Sequence, residues 1–335
     1  MGKGIFGHLV FHHHPCHSPH HPMNSPFHNR LSKNVRHWSK WARRRGIECF
    51  RVYDRDIPEY PVAVDVYAGI PHVQVYETRW EADDAAHDTW VAEVRKTVGT
   101  VFALSPETLA MKVRRRQKGT EQYEKTGQEG DELIVSEDGL KFSVNLHAYL
   151  DTGLFLDHRQ TRKMVRERSQ GRRFLNLFAY TGSFSVHAAA GGALESLTLD
   201  LSRTYQAWSL QNFQLNGLDL TRHRLERVDV MRWLEEAPRL GQCYDLIVMD
   251  PPSFSNSRKM AATLDVQRDH AWMINRCLGL LSTHGELFFS NNRRGFKLYE
   301  DELAPCQVEE ITRQTVPEDF GRGRPHRCWI IRRPR

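Results

Sequence analysis

The stretch RFLNLFAYTGSF at positions 173–184 reads as an apolar strand over Arg173–Phe178, a tight turn at Tyr180-Thr181-Gly182, and the start of a helix that runs from Phe184 to Ala190. The first N–H groups of such a helix have no partner within it and can face a ligand carboxylate. The turn lacks the three-glycine spacing that lets a backbone approach a dinucleotide pyrophosphate, which disfavours a nicotinamide enzyme. The same rhythm repeats downstream. Strands are expected at Ser196–Leu199, Leu225–Val228, Leu246–Met249 and Glu286–Ser290, separated by helices at Thr204–Asn216, Met231–Glu236 and Leu264–Leu281. This alternation implies βαβ crossovers and a parallel sheet whose ligands lie beyond the carboxyl ends of its strands.

Three further strand ends carry polar chemistry. Asp200 follows the turn by about 20 residues, where a carboxylate binds ribose hydroxyls in doubly wound sheets, although an Asp before Leu201-Ser202 also suits a helix cap. Asp229 closes the third strand and either faces an adenine amino group or caps the helix at Met231. Asp250-Pro251-Pro252-Ser253-Phe254 closes the fourth. Its prolines fix the backbone and leave carbonyls unshielded, and Phe254 offers a face for stacking a flat base.

Upstream, Leu31, Val35, Trp38 and Ala42 recur at helical spacing over 29–46, opposite a basic face that includes Arg43, Arg44 and Arg45. Short strands and one helix over 47–148 make a small α+β domain, with Arg114-Arg115-Arg116-Gln117-Lys118 as a phosphate-contacting loop. Residues 149–335 form the α/β domain. Residues 1–28 hold eight of the 18 histidines, broken by prolines, and read as a disordered extension in which Met23 is a candidate start.

Composition narrows the function. Of 335 residues, 40% are hydrophobic and 26% charged, enough for a packed core. The net charge of +6 is concentrated in four basic runs, at 29–46, 112–118, 159–173 and 322–335, which favours a polyanionic partner. The six cysteines form no C-x-x-C pair, so no metal site is expected and a reduced, cytoplasmic setting fits. No apolar run is long enough to span a membrane.

Together these stretches resemble the bacterial large-subunit (23S) rRNA methyltransferase K/L family, specifically its K-type half. The resemblance is carried by Tyr53-Asp54 with Asp56-Ile57-Pro58-Glu59-Tyr60, by Tyr149 to Arg159, by Phe174 to Gly182, by Asp200 to Tyr205, by Asp250 to Ser257, by Val266 to His270 and by Ser290 to Phe296. It covers roughly residues 27 to 333. It implies a seven-stranded, Rossmann-like class I methyltransferase domain behind a small α+β domain and a basic N-terminal helix. The implied cofactor is S-adenosyl-L-methionine, and the implied reaction is methylation of guanine N7 in 23S rRNA or a large-subunit precursor. Longer fused members add a THUMP domain and an N2-methylating domain that this resemblance does not reach, so it carries over only the N7 activity.

The cofactor residues so implied are Asn176, Phe178, Tyr180, Thr181, Gly182, Asp200 and Asp229. Many class I enzymes have an acid where Asn176 stands, which makes Asp157 a candidate for the methionine ammonium. Asp250, Pro251, Pro252 and Phe254 are the catalytic candidates. His158, Arg159, Asn291 and Asn292, with Arg43, Arg44, Arg45, Arg114, Arg115, Arg116 and Lys118, are the RNA-binding ones. Guanine N7 has an in-plane lone pair and no proton to lose, so its methylation needs alignment and a suitable field more than a base. A cytosine C5-methyltransferase would need a thiolate, and Ser290-Asn291-Asn292 supplies none. Methylation of an exocyclic amine, guanine N2 or adenine N6, fits the Asp-Pro-Pro-Ser-Phe motif equally well. A catalytically silent RNA-binding protein would have no reason to keep both the Gly182 turn and Asp200.

Overall fold

The computed structural model of the chain describes residues 25–76, 84–114, 132–255 and 263–334. Its first helix, α1, spans Pro26–Arg45 and so begins three residues earlier than the apolar spacing predicts. Ser25 caps it by accepting the His28 N–H at 3.1 Å. Pro26 sits in the first turn, where its missing N–H costs nothing. Gly46 ends the helix with φ 65°. Phe27, Leu31 and Ala42 pack onto a sheet of β1 (Cys49–Asp54), β2 (Val62–Tyr67), β3 (Ile70–Tyr76) and β4 (Ala110–Arg114). The first three strands are antiparallel, and α2 (Asp84–Phe102) crosses over to leave β4 parallel to β3.

A hairpin of β5 (Leu133–Glu137) and β6 (Leu140–Val144) follows, turned through Asp138 and Gly139, both with positive φ. Its Val135, Phe142 and Val144 share a core with Cys49 and Tyr67 of the first sheet. The same core takes in Val186 and Phe213 from the helices of the next one.

The larger sheet contains β7 (Arg173–Leu177), β8 (Glu195–Asp200), β9 (His223–Arg227), β10 (Tyr244–Met249), β13 (Leu281–Asn291), β14 (Gln307–Glu310) and β15 (Arg327–Arg332), in the order β14-β15-β13-β10-β7-β8-β9. The five strands β7, β8, β9, β10 and β13 are parallel, as expected; β15 runs antiparallel to β13, and β14, antiparallel to β15, completes the sheet in the direction of the five. Helices α3 (Arg159–Glu167), α4 (Ser183–Ala190), α5 (Arg203–Leu215), α6 (Val230–Glu236), α7 (Val266–Leu280) and α8 (Thr312–Thr315) accompany it. A two-residue pair, β11 (Phe254–Ser255) and β12 (Leu264–Asp265), brackets the loop after Asp250. Residues 264 and 265, expected in a helix, belong to this pair, and Asp265 caps α7 by accepting the Gln267 N–H. Among the described residues no helix is long and apolar enough to cross a membrane.

Two of the four basic runs are not free cationic faces. In α3 the Arg162 guanidinium grips Glu137 through two bonds of 2.6 and 2.7 Å and donates to the Phe155 carbonyl at 2.9 Å. Arg159 is held by Asp319 at 2.5 Å and by the Cys49 carbonyl at 2.9 Å. In β15, Arg327 pairs with Glu310, and Arg332 with Glu286 and Glu309. A helix with Val165 as its one fully apolar buried side chain must bury polar ones, and it buries them with counter-ions.

Glu137 is the pivot of that burial. Desolvation alone would raise its pKa, but Arg162 and His187 overcome it and hold the carboxyl well below the usual carboxylate range. Removing one member of such a pair leaves the other charge buried without its counter-ion. Glu137→Ala should therefore lower stability by about 3 to 5 kcal/mol in urea unfolding. Glu137→Gln, which keeps hydrogen-bonding atoms, should cost less. Equal stability of the three proteins would contradict this account.

Candidate functional site

Strands β7 and β10 are neighbours, yet the chain proceeds from β7 toward β8 at one edge and from β10 toward β13 on the other side. Among the described residues no crossover covers the gap beyond their carboxyl ends, which is where doubly wound sheets bind ligands. A cavity of about 190 Å³ occupies that position. It is lined by Asn176 near the end of β7 and Phe178 beyond it, Asp200 at the end of β8 and Leu201 beyond it, Asp229 and Val230 at the start of α6, and Asp250, Pro251 and Pro252 after β10. Phe155, Asp157, His158 and Arg162 close it from the segment leading into α3.

The β7–α4 turn is folded tightly enough to put Phe178, Tyr180 and Gly182 all at positive φ, 55°, 54° and 72°. Two non-glycine residues in the left-handed region are strained, and the surroundings hold them there. Tyr180 N–H donates to Asp200 at 2.9 Å, Ala179 N–H to the Leu199 carbonyl, and the Thr181 hydroxyl to the Gly153 carbonyl at 2.7 Å. Gly153 N–H in turn donates to the Tyr180 phenol at 2.8 Å. Gly153 has φ 103°, and a Cβ there would lie 2.3 Å from the Trp208 ring, so only glycine fits.

Asp200 accepts the N–H groups of Tyr180 and Ser202, both within 2.9 Å. Burial still pushes its pKa up to about 6 against these bonds. Asp229 caps α6 by accepting the Met231 N–H at 3.0 Å, the helix-cap reading of that residue, and it also lines the cavity. At the other end, Asp250 Oδ1 accepts the Ser290 hydroxyl at 2.6 Å, and its Oδ2 lies 3.5 Å from His158 Nε2. Ser253 donates to Asn292 Oδ1 at 2.6 Å, and Asn292 faces the cavity. The His158 ring stacks on His326, and His326 Nδ1 contacts Asp157 Oδ2 at 3.0 Å.

Several expected residues are placed differently. Thr181 and Gly182 shape the turn without lining the cavity: the Thr181 hydroxyl is spent on Gly153, and Gly182 packs against Ser209 and Phe213. The Asn176 amide donates to Ser185 beneath α4. Arg159 is not available to a phosphate, because Asp319 and the Cys49 carbonyl occupy it. Asn291 is buried with its Oδ1 on the Arg293 N–H, away from the cavity, whereas Asn292 beside it lines it. Phe254 is 54% exposed, an uncovered aromatic face outside the cavity lining. Arg43, Arg44 and Arg45 are exposed at the end of α1, with Arg45 paired to Glu318. Arg115, Arg116 and Lys118 lie outside the described residues, and Arg114 ends β4.

Arg162, Ser290 and His326 were not anticipated. Their signals were misleading: the arginine and histidine fall in basic runs, and a serine preceding Asn291-Asn292 carries no pattern of its own.

Residues 74–300 match the model of the S-adenosylmethionine-dependent methyltransferase family. The chain is 54% identical over 306 residues to ribosomal RNA large subunit methyltransferase K of Neisseria meningitidis serogroup B, covering 91% of this chain and 86% of that protein. It is 47% identical to ribosomal RNA large subunit methyltransferase K/L of Marinobacter nauticus, across 91% of this chain but only 42% of the relative's length. Among solved structures, SMU.776, a methyltransferase complexed with SAH, superposes with a TM-score of 0.69 at 24% identity, covering 91% of this chain and 81% of its own, a likeness of fold.

The donor set suits S-adenosyl-L-methionine: Asp157, Asp200 and Asp229 bring three carboxylates to one cavity, the group type that accepts from an ammonium, ribose hydroxyls or an amino group. Asp200→Ala should weaken cofactor binding by about 1 to 3 kcal/mol, the scale of a charge-assisted hydrogen bond. Because a carboxyl with a pKa near 6 gains its proton as the pH falls through that value, affinity in the parent should decline below about pH 6. The Asp200→Ala protein should lack that decline. Calorimetric titration across pH 5 to 8 reads both effects, and a parent-like profile in the variant would remove Asp200 from the ribose site.

Proposed function

The chain belongs to the S-adenosylmethionine-dependent methyltransferases, within the large-subunit rRNA methyltransferase K/L family, and from that premise we propose that it methylates guanine N7 in 23S rRNA or a large-subunit precursor. When bound, S-adenosyl-L-methionine supplies an electrophilic methyl group on a sulfonium. Asp200 would hold its ribose, Asp229 and Val230 its adenine, and Asp157 its ammonium. The acceptor base enters from the side of Asp250, Pro251 and Pro252.

The observation that carries the N7 reading is the carboxylate of Asp250, fixed by Ser290 and facing His158 at the acceptor end. Methylating N7 turns a neutral purine into a cation, and a preorganised anion beside it stabilises that charge as it develops. No proton has to leave, so Asp250 acts through field and position, not as a base. Asn292, whose Oδ1 accepts from Ser253, would use its amide N–H groups as donors to guanine O6, the acceptor adjacent to N7. Cytosine C5 chemistry lacks its nucleophile: among the described residues no cysteine lines the cavity, and Cys328 is fully buried with its thiol pKa pushed up by burial. N7 lies in the deep major groove of A-form RNA, so the target must be distorted or flipped out, and the exposed Phe254 ring is a surface for it. The Arg43–Arg44 end of α1 holds RNA backbone without reading sequence. This reading makes the chain a cytoplasmic enzyme of ribosome biogenesis.

With 7-deazaguanosine at the target position, methyl transfer should cease. Transfer at the normal rate would move the acceptor to an exocyclic amine. Asp250→Asn should retain partial activity, and Phe254→Ala should cost about 1 to 3 kcal/mol in transition-state stabilisation through lost stacking. Neutralising Arg43 and Arg44 together should lower RNA affinity and reduce the slope of log affinity against log salt. An unchanged slope would take α1 away from the RNA.

A further inference from the structure

His326 does not itself line the cavity, yet it touches two groups that do, Asp157 and His158. It is fully buried. Its Nδ1 lies 3.0 Å from Asp157 Oδ2, and a carboxylate can only accept, so Nδ1 carries the proton and donates. Its Nε2 lies 3.1 Å from the Thr315 hydroxyl of α8, which fixes the ring from the other side. Its face covers His158, with centroids 4.1 Å apart and planes 13° from parallel. Under that cover His158 Nε2 points between Asp250 Oδ2 at 3.5 Å and Asp157 Oδ2 at 4.0 Å, while Nδ1 meets the Thr161 hydroxyl at 3.3 Å. His326 therefore touches Asp157, assigned to the cofactor ammonium, and the His158 ring that faces Asp250 at the acceptor end.

We propose that His326 is a positioning residue for the methyl-transfer site: it anchors the Asp157 carboxylate through Nδ1–H and aims His158 at Asp250 through the stack. The proposal rests on the assignment of the cofactor ammonium to Asp157. A shared metal ion does not account for the cluster. Two nearly parallel stacked rings direct their in-plane lone pairs along separate planes, and the 3.0 Å N···O contact is of hydrogen-bond length.

The charges around Asp157 come from every side. His158 flanks it from the segment before α3, His326 from just before β15 and Arg51 from β1, while Asp250 and Arg162 act on the neighbouring His158 ring. Arg51 and Arg162 are already engaged by Asp65 and Glu137. Burial by itself would raise the Asp157 pKa, and His158 and His326 hold it low. Without the His326 donor the carboxyl's pKa should rise toward that set by burial, and its attraction for an ammonium group should weaken as the pH falls.

The test uses two substitutions of matched chemistry. Asparagine places its amide N–H near the position of the imidazole Nδ1, whereas glutamine reaches toward Nε2 and Thr315. Calorimetry with S-adenosyl-L-methionine between pH 8 and pH 5.5 gives each variant's Kd relative to the parent, which divides out the titration of Asp200. For His326→Gln and His326→Ala the ratio should rise as pH falls, to about tenfold at the acid end, the scale of one hydrogen bond to a charged group. For His326→Asn it should stay flat. A flat ratio for all three variants would overturn the proposal, as would an acid-side rise in His326→Asn equal to that in His326→Gln. A residue that merely fills space would lower thermal stability in all three without producing a pH dependence that asparagine cancels. The titration contains no RNA, so its result is independent of the target atom, which the 7-deazaguanosine substrate reads separately.

Discussion

Adjacent parallel strands β7 and β10 send their chains toward opposite sides of the sheet, and no helix can bridge the space above both. That opening sets the polar character of the strand ends around it. Each strand that ends at it must satisfy its last backbone groups without a covering element, and the side chains placed there are short acids: Asp200, Asp229 and Asp250. Asp229 demonstrably caps a helix and Asp200 ties down a turn, so the carboxylates stabilise the strand exits as well as facing a ligand.

The rim opposite those strand ends is built from buried charge. Arg162 with Glu137 and His187, Arg159 with Asp319, and Asp157 with His326 form a polar layer between the hairpin, the first sheet and the large sheet. Ion pairs of this kind add little stability compared with an apolar contact, but they restrict the arrangements in which all partners are satisfied. The layer also connects distant parts of the chain. Asp319 accepts the Arg51 N–H of β1, and Glu318 beside it holds Trp41 and Arg45 of α1. The basic helix and the segment bearing His326 are thus joined through a few hydrogen bonds.

The βα rhythm, the five parallel strands and the acids at their ends were legible in the sequence, because apolar runs of strand length recur between helical periods and because the order of strand ends follows from right-handed crossovers. The basic helix was legible from its apolar stripe. Helix α3 was not. Its sequence RQTRKMVRE reads as a solvated charge run, and only the arrival of Glu137 from a hairpin 25 residues earlier and Asp319 from 160 residues later makes burial of its arginines tolerable. Strand β14 was equally hidden: it is short and largely exposed, and its pairing with β15 defines it as a strand.

By itself, then, the chain determined which residues would stand at the mouth of the sheet, since local periodicity and topology rules act over tens of residues. Which of them face the cavity was decided by tertiary structure. Asn291 and Asn292 are neighbours of identical chemistry, and the first is buried as the last residue of β13 while the second, just past the strand end, opens to the cavity. Arg159 and His158 are neighbours too, and one is consumed by a buried carboxylate while the other is aimed at Asp250. Such outcomes depend on partners far away in sequence, and a buried polar group takes its role from whichever partner satisfies it.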